Sequence, residues 1–186
     1  MTEITAYTGQ LPAPVERFVL HWGDMGGHWG VNRSVAQIHA LLYLSERPLT
    51  AEEIAERLGL ARSNVSNSIK ELQAWNLIRR VPIKGDRRDH FEAETDVWEI
   101  FARIAMGRKE REIDPAIAAL RTCAAEADGD EAINPVAIAR LKALLEFVDT
   151  MDRWAGQMKN VPRAQIAALV RLGTKIVGFL TFGRKK

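Results

Sequence analysis

Residues 50–75 read TAEEIAERLGLARSNVSNSIKELQAW, and this stretch decides the fold because it predicts two short helices joined by a tight turn. Thr50 and Glu53 have the spacing of a capping box, in which each side chain accepts a hydrogen bond from the other residue's backbone N–H. Ile54 and Leu58 then supply an inward helix face. Gly59 ends the first helix, because glycine adopts a left-handed conformation without a Cβ clash. The pattern is typical of a helix-turn-helix.

The second helix is predicted to begin at Arg62 or Ser63, with Ser63 or Asn64 as its cap, and to end near Trp75 or Asn76. Helical spacing puts three apolar side chains on one inward stripe, namely Val65, Ile69 and Leu72. The opposite face has short polar groups and one lysine, namely Ser63, Asn67 and Lys70, flanked by Asn64 and Ser66. Such side chains contact base edges and phosphates of DNA. They are also common at solvated helix starts, so both interpretations stay open.

The segment after the second helix is predicted to form a basic hairpin. Residues 77–83 are typical of a strand, residues 84–89 (KGDRRD) of a turn, and residues 90–94 of a returning strand. Arg87 and Arg88 are placed at the tip, where they could contact a minor groove or the adjacent phosphates. A helix-turn-helix followed by a hairpin of this kind predicts a winged helix.

Positive charge is concentrated in this part of the chain. Residues 62–90 contain seven Lys or Arg against three acids, whereas the whole chain of 186 residues has a net charge of only +2. Clustered basic charge beside a polar helix face is an electrostatic signal for nucleic acid. The predicted DNA-binding residues are Arg62, Ser63, Asn64, Ser66, Asn67, Lys70, Lys84, Arg87 and Arg88. The predicted partner is double-stranded DNA, and the alternative is a winged helix used only for protein interaction or assembly.

The remaining chain predicts helices on both sides of this domain. We expect a tail and helix in residues 1–32, the winged helix in 33–95, and a helical region in 96–186. Four glycines in the second half of the first helix require either a break near Gly26 or a close neighbour, because each is unfavourable by about 1 kcal/mol in a helix interior. The fold class is therefore mainly α, with a two-stranded β-wing.

Start and stop signals divide the C-terminal region. Thr95 or Asp96 caps a long helix, Asp114-Pro115 predicts a kink or restart, and residues 128–131 predict a loop. Two further helices are expected to start at Asn134-Pro135 and at Val161-Pro162. These helices have more apolar surface than a small winged helix needs. The surplus predicts a homodimer formed by the N- and C-terminal helices, with a monomer under a helical cap as the alternative.

Residues 21–101 strongly resemble the GbsR branch of the MarR-like transcriptional regulators. Three motifs support the resemblance: WGVNRSVAQI at 29–38, RSNVS at 62–66 and GDRRDHFEAE at 85–94. It fades after about residue 112. It implies a dimeric bacterial repressor that binds a palindromic operator with its second helix in the major groove. One departure is Ser68, which stands where a generic helix-turn-helix has an aliphatic side chain, and we expect Ile69 to fill that space.

Some members of that branch resemble sensors of choline-type compounds, which raises the question of a ligand site. Aromatic faces attract quaternary ammonium groups through cation–π interactions. The candidate cage residues are Trp22, Trp29, Trp98, Phe101 and Trp154. Burial in a core or a dimer interface explains the same aromatic residues without a ligand and is the favoured interpretation.

Other classes of function find little support. His21, Asp24 and His28 could share a helix face, but no further metal ligand is evident, so no metal or other cofactor is expected. The sequence has no glycine-rich phosphate loop or nucleophile elbow, which predicts a protein that is not an enzyme. The single cysteine, Cys123, excludes an internal disulfide. With no signal peptide or apolar span, we expect a bacterial cytoplasmic, nucleoid-associated protein.

Overall fold

The computed structural model describes residues 11–128 and 130–159, together with residues 161, 162, 165, 168, 172 and 173. The chain divides into two compact units, Met1–Ile104 and Ala105–Lys186. The predicted tail and most of the last predicted helix lie outside the described residues. Among the helices that are described, none has both the length and the hydropathy needed to cross a membrane.

The first unit is a winged helix preceded by one additional helix. Its helices are α1 (Ala13–His28), α2 (Arg33–Tyr43), α3 (Ala51–Leu58) and α4 (Arg62–Ala74), and α5 (Val97–Arg108) begins in it. Its strands are β1 (Leu49–Thr50), β2 (Ile78–Ile83) and β3 (Asp86–Ala93), which form an antiparallel sheet in the order β1-β3-β2. The mainly helical winged-helix prediction is confirmed, with a third strand that the sequence did not indicate.

The helix-turn-helix forms as its residues predict. The Thr50 hydroxyl accepts from Glu53 N at 3.2 Å, and the Glu53 carboxylate accepts from Thr50 N at 2.8 Å, so the capping box is complete. Gly59 has φ 62°, and Leu60 N donates to Ala55 O at 3.0 Å. This closure joins α3 to α4 without a strained non-glycine residue at the turn.

The start of α4 differs from the prediction. Ala61 is its N-cap residue and the helix has no side-chain cap, so the expectation that Ser63 or Asn64 caps it was wrong. Both residues lie inside the first turn. Ser63 is exposed, and the Asn64 side chain is engaged by α2, which makes it unavailable for the N–H groups at the helix end.

The core of the first unit fixes which side of α4 is exposed. Ile38 and Leu41 of α2 are fully buried and lie in one cluster with residues from all other elements of the winged helix. The stripe predicted from spacing, Val65, Ile69 and Leu72, belongs to this cluster. Burying a side chain of this size contributes roughly 1.5–3 kcal/mol. Rotation of α4 about its axis would lose these contributions, so its outer face is held toward solvent.

Two glycines of α1 allow α1 and α2 to cross closely. The helix is continuous from Ala13 to His28, so the predicted alternative of a break near Gly26 does not occur. A Cβ on Gly26 would lie 2.6 Å from the Cβ of Ala36, and one on Gly23 would lie 2.6 Å from Gln37 Cγ. The backbones of α1 and α2 therefore approach more closely than any larger residue at these positions would allow.

The second unit contains an unbroken helical run followed by a hairpin of helices. A π-helical segment, Lys109–Ile113, connects α5 to α6 (Asp114–Ala127). A kink or restart was predicted at Asp114-Pro115, and the structure has a widened helical turn directly before Asp114. Proline lacks an N–H to donate there, which suits such a turn. After a loop, Asn134 Oδ1 accepts from Ala137 N at 2.8 Å and starts α7 (Pro135–Lys159), which packs on α6. The start signal at Asn134-Pro135 is confirmed.

Candidate nucleic-acid interface

The outer face of α4 is solvent-exposed and almost free of acids. The exposed side chains on it are Arg62, Ser63, Ser66, Asn67 and Lys70. Neither Arg62 nor Lys70 takes part in an ion pair within the described part of the chain. This surface therefore presents two uncompensated cations among short hydrogen-bonding groups, and we call it the α4 outer face.

Asn64 differs from the other residues predicted to bind DNA. It is half-buried, and its side-chain amide lies 2.8 Å from the Ser34 hydroxyl and 3.4 Å from the Ser68 hydroxyl. Ser34 and Ser68 are buried, with their oxygens 3.2 Å apart. Ser68 therefore occupies its core position as part of a polar cluster, which explains a residue that the sequence marked as unusual. Ile69 is buried beside it, as expected.

The wing has a shorter turn than predicted. Ile83 pairs with Asp86, so Lys84 and Gly85 alone form the loop, and Gly85 has φ 87°. Glycine tolerates this conformation, which permits a two-residue hairpin. Arg87 and Arg88 consequently lie on β3 and not at the tip, which corrects their predicted placement. The exposed basic residue of the tip is Lys84.

Ion pairs neutralise most of the arginines of the wing. Arg79 pairs with Glu92, Arg80 with Asp89, and Arg88 with Asp86, each at 2.5 Å. The hydrogen bonds from Arg88 hold the pKa of the Asp86 carboxyl well below its usual range. Within the described residues, Lys84 and Arg87 are the wing cations that take part in no ion pair.

Asp86, Arg88 and His90 form one connected group on β3. The His90 ring is buried, with Nδ1 3.0 Å from the Arg88 carbonyl oxygen and Nε2 3.5 Å from Asp86 Oδ2. Alternate residues of a strand point to the same face. The spacing of these three residues was therefore a signal in the sequence, but it was missed because residues 86–89 were assigned to the turn.

A short strand joins the wing to the helix-turn-helix. Leu49 pairs with Phe91 and Thr50 with His90, which places β1 at the edge of the sheet directly before α3. Burial raises the pKa of the adjacent Glu53 carboxyl, but hydrogen bonds from Arg47 and Thr50 outweigh it and lower the pKa to about 2. Two residues are too few to show a periodic pattern, so the sequence could not predict this strand.

Arg103 of α5 holds the end of α4. Its guanidinium donates to the backbone oxygen of Asn76, which follows α4 with φ 55°. It also pairs with Glu94 at 3.1 Å and with Glu99 at 2.6 Å. One side chain thus connects α5 to the ends of α4 and of β3. The sequence separation of 27 residues between Arg103 and Asn76 explains why no local pattern indicated this contact.

Comparison with known proteins agrees with this architecture. Residues 29–89 match the model of the MarR family, and this range covers α2 through most of the wing. The HTH-type transcriptional repressor GbsR of Bacillus subtilis (strain 168) is 25% identical over 157 residues, which cover 79% of this chain and 85% of that protein. The chain is therefore a winged-helix protein that is similar to GbsR over most of its length and to the MarR family over residues 29–89.

Two further similarities concern narrower or more distant matches. The HTH-type transcriptional repressor OpcR of the same organism is 26% identical over 73 residues, which cover 39% of this MarR-like chain and 40% of OpcR. A crystal structure described as a transcriptional regulator superposes with a TM-score of 0.54 at 20% identity, covering 83% of this chain and 99% of that one. This superposition extends the agreement in fold beyond the winged helix.

Among the described residues, the structure shows no defined aromatic cage. Trp22 is half-buried and stacks on Phe18, with ring centroids 5.4 Å apart, and Phe18 was not among the predicted cage residues. The other four cage candidates, Trp29, Trp98, Phe101 and Trp154, are exposed. Of the residues considered for metal binding, Asp24 pairs with Arg33 at 3.1 Å. Among described residues, no group of three or more His, Cys, Asp or Glu is placed to hold a metal ion.

Proposed function

We propose that this protein is a DNA-binding transcriptional regulator that inserts α4 into the major groove. The α4 outer face carries the proposal, because its exposed side chains are of the types that contact DNA in winged-helix proteins and its inner stripe is buried in the core. Relatives named as transcriptional repressors support repression as the mode of action. The two-residue loop of the wing would approach the minor groove or the flanking phosphates.

The candidate residues divide by the kind of contact that they can make. Ser63, Ser66 and Asn67 have no charge and suit base edges, and an asparagine amide can bond adenine with two hydrogen bonds. Four cations without an ion pair in the described chain suit phosphates, namely Arg62, Lys70, Lys84 and Arg87. Arg88 would contribute less charge, because Asp86 neutralises it.

We further propose a homodimer that binds a palindromic operator. Exposed apolar side chains on α5 support it: Val97, Trp98 and Phe101. A second exposed stripe on α7, at spacings of three and four residues, comprises Leu144, Phe147, Met151 and Trp154. Such spacing is typical of a helix that packs against another helix. A two-fold dimer would place two copies of α4 about 34–36 Å apart on DNA.

Selection of genomic fragments by the purified protein tests the DNA-binding proposal. We expect enrichment of sites with two related half-sites, and an affinity that falls steeply as salt rises because phosphate contacts release counterions. A winged helix that only binds other proteins would enrich no sequence and show negligible retention at low salt. The matched control is an α4 variant with Lys70→Glu, which should lose binding while keeping its fold.

Sedimentation tests the proposed dimer. Phe147→Lys places a charge in the α7 stripe and should shift the protein toward the monomer, because the desolvated charge has no partner in an apolar interface. Glu146→Lys alters the neighbouring exposed residue outside the stripe and should leave the dimer intact. A wild-type monomer at micromolar concentration would contradict the proposal.

We further propose that a choline-type ligand controls DNA binding. The resemblance and the exposed aromatic residues support this proposal. Tryptophan fluorescence during a choline titration should show a saturable change, since cation–π contact alters the ring environment. Sodium chloride at equal concentration is the control. A linear or absent response would remove choline as the effector and leave the DNA-binding proposal unaffected.

A further inference from the structure

The buried polar cluster at the start of α4 connects the recognition helix to the N-terminus of α2. Asn32 caps α2, with its Oδ1 accepting from Ser34 N at 2.9 Å. The Ser34 hydroxyl oxygen lies 2.7 Å from the same Asn32 Oδ1 and 2.8 Å from Asn64 Oδ1. Ser34 is 5% exposed, so its hydroxyl group must form its hydrogen bonds within the protein and not with solvent.

The number of protons in this cluster determines which way the Asn64 amide faces. Ser34 has one hydroxyl proton, so it cannot donate both to Asn32 and to an oxygen of Asn64. With Asn64 Oδ1 facing Ser34, one of the two short oxygen–oxygen contacts, at 2.7 or 2.8 Å, contains no proton. A 180° turn of the Asn64 amide exchanges Oδ1 and Nδ2. With Nδ2 facing Ser34, Asn64 donates to Ser34 and Ser34 donates to Asn32. The Ser68 hydroxyl then donates to Ser34 across 3.2 Å, and every contact is satisfied.

We propose that Asn64 is a positioning residue whose Nδ2 donates inward to Ser34, which locks the first turn of α4 to the cap of α2. This proposal rests on the proposed DNA-binding function and assigns a different role to one of the residues predicted to bind DNA. With its donor group used inside the protein, Asn64 retains only its oxygen for solvent or DNA. It lacks the donor and acceptor pair that adenine recognition requires, and that role passes to the exposed Asn67.

Side-chain amide hydrogen exchange tests the proposed link in the protein alone. In the ¹⁵N-labelled protein, the Asn64 Nδ2 protons should exchange about tenfold more slowly than those of Asn67, because they are held in a buried cluster. Asn67 is the matched control on the same helix. Ser34→Ala should abolish the difference, and Ser66→Ala, which alters an exposed serine of α4, should preserve it. Equal exchange of Asn64 and Asn67 in the wild type would overturn the proposal.

Binding to the selected operator tests the positioning role. Ser34→Ala and Asn64→Ala should each weaken binding about tenfold at every operator variant, with an unchanged salt slope, because neither removes a phosphate contact. The double variant should bind no more weakly than the weaker single variant, since both changes break one link. A loss of preference at a single base pair in Asn64→Ala would show that Asn64 contacts that base, and would overturn the proposal. If the wild type binds no DNA, the proposed function fails, whereas the exchange experiment still decides the link.

Discussion

The α4 outer face and the wing are the two basic surfaces of the winged helix, and they hold their charges differently. The cations of α4, Arg62 and Lys70, have no ion-pair partner among the described residues. On the wing, three of the five basic residues from Arg79 to Arg88 pair with carboxylates at 2.5 Å. The number of basic residues in a segment therefore does not set the potential at its surface, because cross-strand neighbours on a sheet bring acids and bases together.

The difference separates two tasks within one domain. Three wing arginines pair with carboxylates of β3, whereas Lys84 and Arg87 take part in no ion pair among the described residues. The α4 outer face has no such internal pairing and is positioned by the core and by the Ser34 cluster. Four predictions test this contrast, in order of decreasing effect.

Acidification should unfold α4 and the wing in one transition, because α2 packs on both α4 and β3. Burial lowers the pKa of His39 in α2 to about 4. The unfolded chain, with the ordinary value near 6.5, binds more protons between these values, so the free energy of unfolding falls as pH drops through this window. The loss reaches about 3 kcal/mol at pH 4. Urea unfolding followed at several pH values measures it.

The window from pH 6.5 down to about 4.5 isolates His39, because Glu53 loses its contribution only below its ordinary value near 4.5. His39→Phe should flatten the pH dependence there, since it keeps a buried ring without a titrating nitrogen. His21→Phe alters an exposed histidine of α1 and should keep the wild-type slope. Separate transitions for α4 and the wing would contradict a single cooperative unit.

Removal of both α4 cations should have the largest effect on DNA affinity. We expect Arg62→Ala with Lys70→Ala to weaken binding about 100-fold at low salt and to reduce the salt slope by about two, one for each lost phosphate contact. Fluorescence anisotropy across a salt series measures both quantities. Glu56→Ala on α3 is the control for surface substitution. An unchanged salt slope would mean that the α4 outer face does not meet phosphate.

Two neighbouring arginines on the wing should differ in their contributions. Arg87→Ala should weaken DNA binding about tenfold, because its charge is uncompensated in the described chain, whereas Arg88→Ala should weaken it only about threefold. The same anisotropy assay ranks them at one salt concentration. If Arg88→Ala proves the more damaging, the Asp86–Arg88 pair opens on binding, and the contrast between the two surfaces is weaker than the unbound structure suggests.

The smallest expected effect comes from releasing the Arg88 charge. Asp86→Asn keeps an oxygen that can accept from the Arg88 backbone N–H, but it removes the opposing charge. Affinity for non-specific DNA should rise about twofold to threefold, with a steeper salt slope, because one more cation becomes available for phosphate. Glu92→Gln, which releases Arg79, tests whether the same holds further along the wing. Lower affinity in Asp86→Asn would mean that the pair is needed to shape the wing.

Sequence patterns predicted those parts of the site that depend on neighbouring residues. The capping box at Thr50, the turn at Gly59 and the inner stripe from Val65 to Leu72 are all confirmed, because each depends on residues within one or two helical turns. The predicted turn of the wing, residues 84–89, was four residues too long, because a two-residue loop and a longer loop share the same composition. DNA binding by the nine residues named for it remains a prediction.

The amino-acid sequence alone determined a winged helix-turn-helix, which face of α4 is turned outward and the low content of acids on that face, since periodicity and turn chemistry are local properties. Tertiary structure decided which of those residues are available. Asn64 is engaged by Ser34, 30 residues earlier, and Asn76 is held by Arg103, 27 residues later. Hydrogen bonds and ion pairs act over a few ångströms in space, and only the folded chain brings such distant residues within that range.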